Sequence, residues 1–195
     1  MNMHLRVNKL SDGLMAGILL TVIAALVYLP FVFRFGYYFD DWYIMFAAGA
    51  RGAEAIREIY SIDRPAGALL MSPLYALFGA NPLYYNLSAF AFRVLGALGV
   101  WTLCARLWSQ ARAFALMTAL LFLIYPGFLS QPNGITYQYY LAGLASATWS
   151  VALTMRAVTT TQRGRRWVLH GFSILLGLFY LSQIEWYIGF EAIRW

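Results

Sequence analysis

The sequence predicts an all-α polytopic membrane protein with about five transmembrane helices and amphipathic juxtamembrane helices in its first external loop. Three observations carry that expectation. First, hydrophobic residues make up 62% of the 195 and charged residues 11%, against about 45–50% and about 25% in ordinary soluble domains. One water-soluble core cannot bury such an excess, and disorder, whose signature is low hydrophobicity, is excluded with it. Second, the apolar residues gather into runs near the roughly 20 residues that one helical span requires. Third, the net charge of +6 is spread unevenly about those runs, which reads as membrane topology rather than nucleic-acid binding. The single cysteine, Cys104, leaves no internal disulfide framework and no multi-cysteine metal site.

The first span is expected over 13–33. Arg6 and Lys9 precede it, as basic residues precede a signal peptide. A signal peptide, however, has an apolar region of only about 7–15 residues and ends at small residues. This run continues to Leu29-Pro30-Phe31-Val32-Phe33-Arg34, so it reads as a retained anchor. Further spans are expected over 83–106, 113–129, 137–156 and 167–188, with Pro126-Gly127 punctuating the third run. All belong to one transmembrane domain. The longest charged segment is the loop 34–82. With the N-terminus in the cytoplasm, the inner side holds Arg6, Lys9, Arg106, Arg112, Arg156, Arg163, Arg165 and Arg166. The outer side then holds Arg34, Arg51, Arg57 and Arg64, diluted by Asp40, Asp41, Glu54, Glu58 and Asp63. The positive-inside bias therefore places loop 34–82 outside a bacterial-type plasma membrane.

Within that loop, Trp42, Met45, Phe46, Gly49, Ala53, Ile56 and Ile59 recur at intervals of three and four, opposite Arg51, Glu54, Arg57 and Glu58. The spacing predicts one amphipathic helix over 42–60, lying at the membrane interface. Asp40 and Asp41 precede its first turn, where one carboxylate can cap free backbone N–H groups and the helix dipole favours negative charge. A cap needs one carboxylate and the sequence supplies two, so a chemical role stands beside the capping role. Downstream, Asp63-Arg64-Pro65-Ala66-Gly67 leads into the short apolar stretch 68–78. Pro65 suits the first position of a second interfacial or re-entrant helix, and Arg64 reads either as a functional cation or as a snorkelling side chain beside a turn.

A first span running into Phe39-Asp40-Asp41-Trp42, followed by two juxtamembrane helices and Asp63-Arg64-Pro65-Ala66-Gly67, resembles the start of the GT-C superfamily of membrane glycosyltransferases. That superfamily includes protein O-mannosyltransferases, which carry Asp-Glu where this chain has Asp40-Asp41. It also includes aminoarabinose transferases, which carry an acidic-Lys-Pro segment where this chain has Asp63-Arg64-Pro65. The resemblance implies an enzyme that takes a sugar from a polyprenyl-phosphate donor and transfers it on the external face. Family members have about twice as many spans, so the chain is expected to correspond to their N-terminal part. A phosphate leaving group is a weak base, so the chemistry asks for a base at the acceptor hydroxyl and positive charge at the departing phosphate. The resemblance gives the first role to Asp40, with Asp41 sharing it or binding the sugar or a divalent metal ion. It gives the second to Arg64, with Asp63 orienting it or touching the acceptor. One base and direct displacement imply inversion at the anomeric carbon, by analogy with inverting glycosidases.

Weaker candidates lie on the same side. Glu185, near the outer end of the fifth run, is an ionisable residue in an apolar segment and so a functional hypothesis, or else a residue of the wet interface. Gln131, Asn133, Tyr137 and Gln138 could line the same mouth, although interfacial tyrosines are common. Arg93 falls near mid-span and reads either as pairing with a neighbouring helix, the favoured reading, or as reaching a donor phosphate. Asn86-Leu87-Ser88 fits a glycosylation sequon but sits too near the membrane. His4 and His170 are far apart and form no triad or zinc site. The alternatives are a lipid-linked-sugar transporter or flippase subunit, whose polar residues should lie at mid-membrane in broken helices, and a non-catalytic membrane scaffold in which Asp40 and Asp41 only cap a helix.

Overall fold

The computed structural model describes residues 3–125 and 134–194, and all regular structure among them is helical. Helix α1 (Met3–Val32) is followed by three shorter helices, α2 (Asp40–Arg51), α3 (Ala53–Ser61) and α4 (Pro65–Phe78). Long helix α5 (Pro82–Leu107) leads to α6 (Arg112–Leu123), α7 (Gln138–Val158) and α8 (Arg163–Gln183). A 3-10 turn, Glu185–Ile188, then leads into α9 (Gly189–Arg194). Gln131, Asn133 and the Pro126-Gly127 break lie outside the described residues.

Three helices are long and apolar enough to cross a membrane: Asp12–Val32, Pro82–Leu107 and Gln138–Val158. They match the expected first, second and fourth spans. The other two expected spans differ. Helix α6 has 12 described residues, about 18 Å at 1.5 Å per residue, which is short of the roughly 30 Å hydrocarbon core. Helix α8 is long enough, but it starts four residues earlier than expected, at Arg163, and takes in Arg165 and Arg166. It also stops earlier, because Ile184 is extended and the following turn folds onto α7, where the Tyr187 hydroxyl donates to the Tyr140 carbonyl at 2.9 Å.

Close contacts fix the register of the bundle. Helix α1 runs antiparallel to α5, with Gly13 against Trp101, Gly17 against Leu98, and Tyr28 under the Arg93 guanidinium. Helices α5 and α7 run parallel: Ser88 donates to the Gln138 side chain, and Gly99 abuts Thr148. Helices α7 and α8 are antiparallel, with Ser150 bonded to Ser173 and Gly143 against Gln183. Between apolar helices in lipid, such small residues permit the close backbone approach that holds a bundle together. A Cβ on Gly99 would lie 2.4 Å from Thr148 Oγ1. Of the three candidate spans, α7 is the most enclosed by its neighbours and α1 the least. It is therefore the central helix.

Arg93 is buried at mid-helix, its guanidinium 4.6 Å from the Tyr28 ring and bonded to the Tyr28 hydroxyl, which donates on to the Leu123 carbonyl. These contacts link α1, α5 and α6. Likewise Arg194 of α9 is held by Ser150, Thr154 and Ser173 and by Glu191.

This topology gives the bundle two unlike ends. One gathers the C-termini of α5 and α7 with the N-termini of α6 and α8, and with them Arg106, Arg112, Arg156, Arg163, Arg165 and Arg166. The other gathers α2, α3 and α4, the N-termini of α5 and α7, and the C-terminus of α8. A cluster of buried side chains fills it, including Ile44, Met45, Ile56, Tyr60, Met71 and Tyr139.

Candidate functional site

The single helix expected over 42–60 is in fact two. Gly52 breaks it with φ +70° and ψ −159°, a conformation open essentially to glycine alone. The Arg51–Glu58 ion pair, at 2.6 Å, closes across the break. In a straight helix those residues would sit about 10 Å apart along the axis, a gap two long side chains still span, so it is the Gly52 backbone that marks the break. The bend in turn brings α3, and the Asp63-Arg64 segment after it, back over α7.

Asp40 and Asp41 occupy the first turn of α2 without capping it; the cap position belongs to Phe39, whose φ of +45° is rare for a residue with a side chain. The two carboxylates then part. Asp40 is exposed, whereas Asp41 has no solvent-accessible surface. One Asp41 oxygen accepts the Thr136 backbone N–H at 2.8 Å and the Thr136 hydroxyl at 2.7 Å; the other accepts the Tyr38 N–H at 3.4 Å. Burial raises the Asp41 pKa, and the hydrogen bonds from Thr136 and Tyr38 offset only part of that rise. Asp41 thus pins α2 to the start of α7.

Arg64 stands at the N-cap position of α4 without a side-chain capping bond, and Pro65 takes the first helical position, as the sequence predicts. The next glycine has a separate reason: a Cβ on Gly67 would lie 2.8 Å from the Tyr60 ring. The Arg64 guanidinium carbon sits 5.7 Å from the ring centres of both Tyr139 and Tyr140. Its nitrogens lie 3.8 Å from the carboxylates of Asp63 and Glu185. Burial works against its charge, and Tyr139, Tyr140, Glu185 and Asp63 more than offset that, so its pKa is raised and the cation is secure. Tyr60 stands edge-on to Tyr139 at 5.6 Å. Its hydroxyl is held neutral by burial first and then by Asp41 and Asp63.

Of the sequence-predicted residues, Asp63, Arg64 and Glu185 therefore meet directly. Tyr137 stacks beside Tyr140 at 4.9 Å, at the same mouth. Gln138 is also there, but fully buried: its amide donates to the carbonyls of Tyr85 and Gly134 and accepts from Ser88. Both of its N–H donors and one lone pair of its oxygen are thus spent on packing. Asn86 of the sequon is buried too, its amide donating to the Phe35 carbonyl. Sequence reasoning missed Tyr60, Thr136, Tyr139, Tyr140 and Gln183. The aromatic run 137–140 signals the tyrosines in part, while nothing in the sequence pairs Gln183 with the Ala66 carbonyl that it bonds at 3.3 Å.

Three buried polar atoms at this mouth make no hydrogen bond: Tyr60 Oη, Arg64 Nη1 and Gln183 Oε1. They lie about the N-terminus of α4, whose dipole favours anions. A metal fits poorly. Among the described residues no three His, Cys, Asp or Glu side chains gather, and both Asp41 oxygens are occupied. Comparison with protein-family models, curated proteins and solved structures finds no match to this chain.

Proposed function

We propose that the chain is a membrane glycosyltransferase of the GT-C kind, moving a sugar from a polyprenyl-phosphate donor to an acceptor at the extracytoplasmic surface with inversion. The observation that carries this reading is the Arg64 cradle, a secured cation between two tyrosine faces and two carboxylates with Nη1 still unbonded. Arg64 holds the donor phosphate, and the neutral Tyr60 hydroxyl can donate to it as well. The exposed Asp40 takes the proton from the acceptor hydroxyl. That oxygen attacks the anomeric carbon, the bond to the phosphate oxygen breaks, and the phosphate leaves toward Arg64 with its electron pair. Asp41 acts as a positioning residue that fixes Asp40 at the start of α2, and no step is routed through a metal.

In this reading α6 and α8 are also membrane-embedded, giving five such helices. Their support is the large apolar surface they leave uncovered, such as Met117 and Leu121 on α6 and Phe172, Leu175 and Leu178 on α8. Helices α2 to α4 lie at the outer interface, and the arginine-rich end faces the cytoplasm. The non-catalytic alternative draws its support from Asp41, whose oxygens already have structural partners.

The test uses the protein in proteoliposomes with a synthetic polyprenyl-phosphate hexose and an excess of an alcohol as hydroxyl acceptor, measuring polyprenyl phosphate released by mass spectrometry. Release above protein-free vesicles is expected. Asp40→Asn should cut it by about 10²–10⁴-fold, the usual worth of a general base, at an unchanged unfolding midpoint. No release from the wild-type protein, or full release from Asp40→Asn, would overturn the assignment.

A further inference from the structure

At the opposite end of the bundle, a groove of about 540 Å³ opens between α1 and α6. Met15, Ile18, Leu19, Val22 and Leu116 line it, with Trp101 of α5 at its back. Its rim is polar: Arg112 is ion-paired with Asp12 there, a hundred residues away along the chain. Arg112 is also the first residue of α6, whose first turn receives no side-chain cap, so its N–H groups and positive dipole end face the rim. The surrounding charge has one sign. Arg106 lies within electrostatic range of both Arg156 and Arg165, from α5, α7 and α8. Among the described residues, Asp12 is the one carboxylate at this end.

We propose that this groove seats one anionic phospholipid, its phosphate at Arg112 and the N-terminus of α6 and one acyl chain along α1. A guanidinium carries five N–H donors in a fixed fork, and Asp12 engages one side of it, leaving donors for a phosphate. The apolar trough, the Arg112 fork and the arginine-rich end of the bundle around them together match an amphiphile that is anionic at one end. The excess of arginines favours a lipid with net negative charge over a zwitterionic one, since a basic residue near an anionic surface gains about a factor of five in binding.

The experiment compares the delipidated protein in neutral detergent with phosphatidylglycerol or phosphatidylcholine added, reading retained lipid by native mass spectrometry and the thermal midpoint alongside. Phosphatidylglycerol should bind and raise the midpoint well beyond phosphatidylcholine. Arg112→Gln should weaken phosphatidylglycerol binding about fivefold, and Arg112→Lys should restore part of it. Asp12→Asn is the decisive variant. If the Asp12–Arg112 pair only staples α1 to α6, Asp12→Asn and Arg112→Gln should lower the midpoint alike and neither should change lipid selectivity. If the groove seats a lipid, Asp12→Asn frees Arg112 and holds or increases phosphatidylglycerol retention. Equal binding of the two lipids, or parallel losses in the two variants, would overturn the proposal.

Discussion

Asp41 has two oxygens, three hydrogen-bond donors and no access to solvent. Those facts separate it from Asp40, one residue away and exposed. Burial raises the Asp41 pKa above the ordinary value near 3.9. A carboxyl whose folded pKa is raised contributes its full stability below the unfolded value and loses it as pH rises through the folded value. The thermal midpoint should therefore fall as pH rises from about 4 through that folded pKa, and Asp41→Asn should lack the fall. By contrast, Asp40→Asn should move the midpoint by no more than about 0.5 kcal/mol equivalent at any pH, as exposed substitutions do. Gly67 belongs to the same scale. Its missing Cβ makes room for the Tyr60 ring, so Gly67→Ala should destabilise by about 1–3 kcal/mol through overpacking, read as a lower unfolding midpoint.

Helices α2 and α3 show what one glycine does to an element. The three-and-four spacing over 42–60 was legible and correct as to helix, yet it could not reveal the break at Gly52, because glycine also occurs inside helices at modest cost. What decides the break is a backbone conformation that a side chain would forbid. Gly52→Ala should accordingly cost of order 1–3 kcal/mol and spread α2 from α3, observable as loss of the Arg51–Glu58 coupling in a double-mutant cycle. The start of α4 was readable from Pro65, and the three strongest spans from run length alone, because both signals are local. The partners of Arg64 were not readable. Tyr139, Tyr140 and Glu185 lie 75 or more residues away, and only the parallel packing of α5 on α7 and the return of α8 bring them to it. Gln138 is the opposite case, a polar residue of suggestive placement that is engaged in the packing of α5 on α7.

At the scale of the whole molecule, antiparallel and parallel helix pairs send Arg106, Arg112, Arg156, Arg163, Arg165 and Arg166 to one end, leaving Arg93 at mid-helix. The Arg64 mouth lies at the other. A polyprenyl-phosphate sugar presented on the outer leaflet can reach that mouth only if the arginine-rich end is cytoplasmic, so sidedness bears on every step of the proposed chemistry. Cysteine accessibility in intact cells measures it directly, in a background where the buried Cys104 is replaced by Ala. Ala50→Cys lies at an exposed position of α2, at the same end of the bundle as the mouth, and Gly164→Cys at the start of α8, where nothing crowds an added side chain. An impermeant thiol reagent applied from outside should label position 50 and spare position 164 until the membrane is permeabilised. Labelling of 164 with protection of 50 would put the mouth in the cytoplasm and contradict the account.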